Sequence, residues 1–168
     1  MEDEDRRMYL LQKYVSDIAT DEELKALEDP DRKEQVLKEL LDRAENFRKI
    51  EVFGDGYKVE GNTYSVRNIL KDYGAKWDRY ERVWYGGIED VKMFWKMAHE
   101  INAKVIVQEI PSMFLGQLSP NKLKIHDEMM EIARRFGEED IVGVVVKAED
   151  THKVWEHYKE NRDIEVER

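Results

Sequence analysis

Glycine cuts residues 50–87 into runs too short for ordinary helices. Gly54-Asp55-Gly56 separates the apolar stretch 50–53 from 57–59, and Gly61-Asn62 follows at once. A glycine pair spanning one residue between β-prone runs is a hairpin signal, because glycine reaches the positive φ that tight hairpin turns need. Ser65 is expected to cap a helix over 65–73, whose Val66, Ile69, Leu70 and Tyr73 share one face. Gly74 supplies the left-handed residue that ends it. Residues 75–78 and 82–85 then read as a second hairpin around Arg79-Tyr80-Glu81, closed by Gly86-Gly87. The middle of the chain is therefore a compact β-rich unit around one short helix.

The flanks have helical periodicity. A first helix is expected over 4–18, with Tyr9, Leu10, Tyr14 and Ile18 on one side. Thr20-Asp21-Glu22-Glu23 is a capping box, in which the Thr hydroxyl and the Glu carboxylate each take a free backbone N–H. Asp29-Pro30 opens a third helix running to about residue 48. Its stripe of Val36, Leu37, Leu40, Leu41, Ala44 and Phe47 must be buried, against the rest of the chain or against a partner. Beyond residue 87, a helix over 88–101 precedes a β-branched strand at 104–110. Ser119-Pro120 opens a helix over 120–136, and 141–147 is the most apolar strand. Asp150-Thr151 caps a last helix reaching about 161. The strand–helix–strand order over 104–147 permits a parallel crossover. The expected class is α+β: N-terminal helices, a small central β-hairpin/helix unit, and C-terminal alternating helices and strands in one mixed sheet. The boundaries are a helical segment at 1–49, a core at 50–162 and a frayed tail at 163–168.

Net charge looks adverse to nucleic acid, at −10 with a pI near 5.0. Its distribution changes that. Residues 1–56 carry −7 and 105–168 carry −5, whereas 57–104 carry +2. Within it, the 22 residues 64–85 hold six of the 17 aromatics, Tyr64, Tyr73, Trp77, Tyr80, Trp84 and Tyr85, beside Arg67, Lys71, Lys76, Arg79 and Arg82. Acidic flanks argue against a general duplex coat but leave a local single-strand groove open.

Several chemistries are excluded or unsupported. No cysteine is present, so there is no disulfide, thiolate metal site or thiol nucleophile. His152 and His157 are five apart, which breaks the i, i+4 spacing of a helical ligand pair, and no metal is expected. Neither GxxxxGK[ST], GxGxxG before a helix, nor GxSxG occurs. No cofactor is implied and no catalytic constellation can be read, so the protein is expected not to be an enzyme. No run approaches a membrane span, the N-terminus is acidic, and the charge-rich, cysteine-free composition is that of a heat-adapted cytoplasmic protein.

Single-stranded nucleic acid exposes base faces for aromatic stacking and phosphates for Lys and Arg. Strand alternation puts Lys76 and Asp78 on one side and Trp77 on the other. It pairs Arg82 with Trp84, opposite Val83 and Tyr85. Trp77 and Trp84 could equally be cross-strand packing partners.

The pattern Tyr64-x-Val66-Arg67-x-x-Leu70-Lys71-x-x-Gly74-Ala75-Lys76-Trp77-Asp78, followed by Arg82-x-Trp84-Tyr85, resembles the ThermoDBP family of archaeal single-stranded DNA-binding proteins. The resemblance covers about 30 of the 168 residues. It implies an aromatic-lined cleft flanked by basic residues. It implies Trp77, Trp84 and Tyr85 as stacking rings, with Tyr80 a further ring on the same hairpin. Arg67, Lys71, Lys76, Arg79 and Arg82 become the phosphate contacts. The leading expectation is a single-stranded DNA or RNA binder with little sequence preference and no membrane partner, able to form homo-oligomers through the N-terminal helices. The alternative is an acidic protein–protein adaptor that uses Val36 to Phe47 or the apolar trio Met113, Phe114 and Leu115, the trio being more readily a plug on the core.

Overall fold

The computed structural model describes residues 3–167, with side chains for 3–160. The chain divides after Phe47 into two compact units. The boundary lies two residues before the expected one, because Arg48 and Lys49 already pair in the first strand.

The first unit is helical: α1 (Asp3–Lys13), α2 (Val15–Ile18), α3 (Asp21–Ala26) and α4 (Lys33–Glu45). The first helix expected over 4–18 breaks at Tyr14. The Thr20–Glu23 capping box forms as read, with both reciprocal hydrogen bonds. Asp29 begins a turn rather than α4, its carboxylate accepting from the Asp31 N–H at 3.0 Å. Val36, Leu40 and Ala44 bury against Leu10, Leu11, Tyr14 and Ile18. The stripe on α4 is thus consumed inside the unit.

The second unit holds β1 (Arg48–Phe53), β2 (Gly56–Gly61), α5 (Arg67–Asp72), β3 (Lys76–Asp78), β4 (Val83–Gly87), α6 (Val91–Glu100) and β5 (Lys104–Gln108). It continues with α7 (Ser112–Leu115), α8 (Pro120–Phe136), β6 (Glu138–Glu139), β7 (Gly143–Val146) and α9 (Ala148–Glu167). The α+β class is as expected. The strands form one mixed sheet in the order β3-β4-β2-β1-β5-β7-β6, in which only β1 and β5 are parallel.

Local signals set most boundaries. Gly54 and Gly74 have φ of 64° and 86°. Asp90 caps α6 and Ser119 caps α8 through the Lys122 N–H. Two caps differ from expectation. Ser65 lies in a single 3₁₀ turn (Tyr64–Val66) and makes no cap, and α9 begins at Ala148, ahead of Asp150-Thr151. The backbone of α9 continues through the stretch expected to fray, as far as Glu167; Arg168 lies outside the described residues.

The expected parallel crossover over 104–147 is corrected. Strand β7 runs antiparallel to β5, with Val105 opposite Val146. The stretch 141–147 is not one strand. Asp140 and Gly143 exchange backbone hydrogen bonds, so Ile141 and Val142 form an exposed two-residue loop that reverses the chain between β6 and β7. The crossover therefore delivers β6, and the hairpin turns β7 the other way. Gly143 allows the close β5–β7 approach, since a Cβ there would lie 2.0 Å from the Val107 carbonyl oxygen.

Alternation along the strands decides which face is buried. Ile50, Val52, Val59, Trp84, Val105, Val107, Val144 and Val146 share one core with Leu70, Phe94, Trp95, Met129, Ala133 and Val154 from α5, α6, α8 and α9. Buried Arg48 donates to the carbonyls of Ile101 and Asn62, tying β1 to two connections.

His126, buried on α8, has an Nδ1 without a hydrogen-bond partner. Burial pushes its pKa below the ordinary 6.5, so the fold holds the neutral ring. Stability from this group is complete above the unfolded value and is lost as pH falls through the lower folded value. Urea midpoints measured between about pH 5 and 8 should fall at the acid end. His126→Gln should flatten that fall, and an unchanged profile in the variant would reject the assignment.

Candidate nucleic-acid interface

The β3–β4 hairpin is built by a short loop. Trp77 lies directly opposite Trp84, and Lys76 opposite Tyr85. The Asp78 carboxylate accepts from the N–H groups of Tyr80 and Glu81 at 2.8 and 3.1 Å, while the Arg82 N–H donates to the Asp78 carbonyl at 2.7 Å. Arg82 closes the loop at φ 57°, an uncommon left-handed conformation for a side chain of its size. Arg82 precedes β4, so the strand alternation that was expected to pair it with Trp84 does not extend to it.

The nine residues singled out from sequence do not converge on one surface. Trp84 is only 7% exposed and packs against Trp77 at a ring separation of 5.6 Å. It belongs to the core and offers no stacking face, which corrects its expected role. The cross-strand packing alternative holds for this pair. Trp77, on the same sheet face at the edge strand, stays 47% exposed. Tyr80 projects from the loop at 86% exposure, with the Arg79 guanidinium 5.4 Å from its ring centre. Arg67 and Lys71 sit on α5, whose Leu70 enters the core on the helix side of the sheet. Arg67 lies over the Tyr64 ring at 3.9 Å and donates to the Tyr64 carbonyl.

Tyr85 and Lys76 occupy the opposite face. Register runs a row across that face: Lys76, Tyr85, Lys58, Glu51 and Ile106. The adjoining row is Gly87, Gly56 and Phe53. A depression of about 610 Å³ opens here, bordered by Phe53, Tyr85, Lys58 and Glu51 and reaching Gln108. Phe53 is 53% exposed and Tyr85 42%. The floor is low because Gly56 and Gly87 carry no side chain on this face. Gly86 faces the core instead, where the Tyr57 ring fills the space a Cβ would take.

The charge here is mixed. Lys58 bonds Glu81 at 2.8 Å, and that contact raises its pKa above the usual lysine value. Glu51 lies between the Lys49 ammonium at 3.4 Å and the Gln108 amide at 3.3 Å.

Phe53 was not anticipated. A signal for it existed: it falls in the polar phase of its strand, with Lys49 and Glu51, against the apolar phase of Ile50 and Val52.

Among the described residues, no group of three or more metal-ligating side chains converges, and no helix is long and apolar enough to cross a membrane. The trio Met113, Phe114 and Leu115 is exposed on α7 rather than plugging the core. Compared with protein-family models, curated proteins and solved structures, the chain matches none.

Proposed function

We propose that the protein binds single-stranded nucleic acid across the open face of the β3–β4–β2–β1 sheet edge. One observation carries the reading: two half-exposed rings, Phe53 and Tyr85, border a depression on a sheet face that also presents Lys58 and Lys76. Bases stack on the rings, and the phosphates run toward Lys76, Arg79 and Arg82 at the hairpin. Stacking tolerates any base, and a few cations suffice for the backbone. The resemblance of the 64–85 stretch to the ThermoDBP family supports the same reading. The acidic flanks lower affinity for duplex, whose two charged strands extend well beyond a local patch.

Fluorescence anisotropy with short labelled DNA and RNA single strands, against a matched duplex, tests this. Single strands should bind with micromolar or tighter affinity. The slope of log affinity against log salt should be roughly −2, the value for about three phosphate contacts on a single strand. Duplex should bind at least about tenfold more weakly, since it hides the base faces that supply about 1–3 kcal/mol per stack. No binding at tens of micromolar, or no salt dependence, would overturn the reading. A protein-contact reading then comes first, because Met113, Phe114, Ile141 and Val142 are exposed and the Glu109 N–H ties the 141–142 loop to the residue after β5 through the Val142 carbonyl.

A further inference from the structure

We infer that the space over Gly56 is a slot for a single base, and that Glu51 at its end makes it prefer guanine. The inference rests on the nucleic-acid reading above and adds a specificity to it.

Phe53 and Tyr85 stand on β1 and β4, with β2 between them. Tyr85 is level with Lys58 and Phe53 with Gly56, one row apart, so two strand spacings and one row offset set their backbone positions on the order of 12 Å apart. That span leaves room for one flat ring between the two side chains, since a stacked ring needs about 3.5–4 Å on each side. Gly56 is the floor, and nothing crowds it: a Cβ there would meet only the Phe53 and Gly86 carbonyl oxygens, at 3.7 and 3.8 Å. The slot is therefore open because residue 56 is glycine, and not because the backbone forbids a side chain there.

Charge decides which end of a nucleotide enters. Glu51, Asp78 and Glu81 line the depression with Lys58 as the one lysine, so a phosphate inside would meet net negative charge. A base edge with N–H donors meets acceptors instead. Glu51 is fixed for this role by Lys49 on one carboxylate oxygen and Gln108 on the other. A carboxylate offers about four acceptor sites, so both oxygens keep capacity for a ligand. Guanine presents N1–H and the N2 amino group side by side, which matches the two oxygens of a carboxylate. Adenine and cytosine present one amino group. Thymine and uracil present a lone N3–H between two carbonyls, which the carboxylate repels.

The test compares a short oligothymidylate with the same strand carrying one central guanine, by anisotropy, and repeats this with oligouridylate. One guanine should tighten binding at least about fivefold, the low end of discrimination by a good bidentate pair. Glu51→Gln should erase the gain, so that the variant binds the guanine-bearing strand and oligothymidylate within about twofold of each other. Gly56→Leu, which fills the slot from an unstrained position, should also erase the gain, with circular dichroism confirming the fold. If oligothymidylate binds but guanine adds nothing, or the gain survives either substitution, the slot assignment is overturned and the broader reading stands. If no strand binds, both fall.

Discussion

Replacing Trp84 by alanine should cost about 3–5 kcal/mol of stability, the range for deleting a large buried aromatic. The ring is 7% exposed, lies opposite Val59 on β2, and packs against Trp77 across the hairpin. Alanine would leave a cavity under the helix layer that the sheet cannot close, since both neighbouring strands are fixed by their ladders. It would also strip Trp77 of its cross-strand partner on β3, an edge strand of three residues. The thermal midpoint should fall on the order of 10–20 °C for a unit of this size. Tyr85→Ala, one residue further on, is the control. Its side chain stands on the other face, so stability should change by no more than about 1 kcal/mol, the scale of a cross-strand pair. Equal destabilisation by the two substitutions would show that the faces are misassigned.

These neighbouring residues also show what a sequence can and cannot convey. Strand alternation placed Trp77 opposite Lys76, and Trp84 opposite Tyr85, correctly. Alternation is a local property of the backbone, and so are the Thr20 capping box, the Ser119 cap and the positive φ at Gly54 and Gly74. Which face then meets the helices is a long-range matter. It depends on β4 pairing with β2 and on α5 and α6 covering the side that carries Ile50 and Val59. A count of rings and bases between residues 64 and 85 is blind to that. It gathered Arg67, Lys71, Trp84 and Tyr85 into one cluster, whereas the sheet separates them. The same blindness hid Phe53, which lies outside the aromatic stretch and joins Tyr85 only through the register of three strands. The β6–β7 reversal was missed for a different reason. Ile141 and Val142 are strong β-formers, and their place in a loop is set by the Asp140–Gly143 hydrogen bonds and not by their own propensity.

Removing both rings of the open face, Phe53→Ala with Tyr85→Ala, should weaken single-strand binding at least about 30-fold. Each base–aromatic stack contributes about 1–3 kcal/mol, and the low end of two stacks is about 2 kcal/mol. The rings border one slot and are close enough to couple, so the single substitutions need not sum to the double. If one base is held between both rings, either single change should give most of the loss. If two bases stack separately, the losses should add. The salt slope should not move, since Lys76, Arg79 and Arg82 remain to meet phosphate. Lys76→Ala with Arg79→Ala should behave in the opposite way, lowering the slope by about one to two while leaving the guanine gain intact. Both rings are half-exposed, so the double variant should melt close to the parent protein. A folded Phe53→Ala, Tyr85→Ala protein that keeps the parent affinity would remove the open sheet face as the binding site. Trp77 and Tyr80, exposed at the edge and tip of the β3–β4 hairpin, would then be the rings left to carry it.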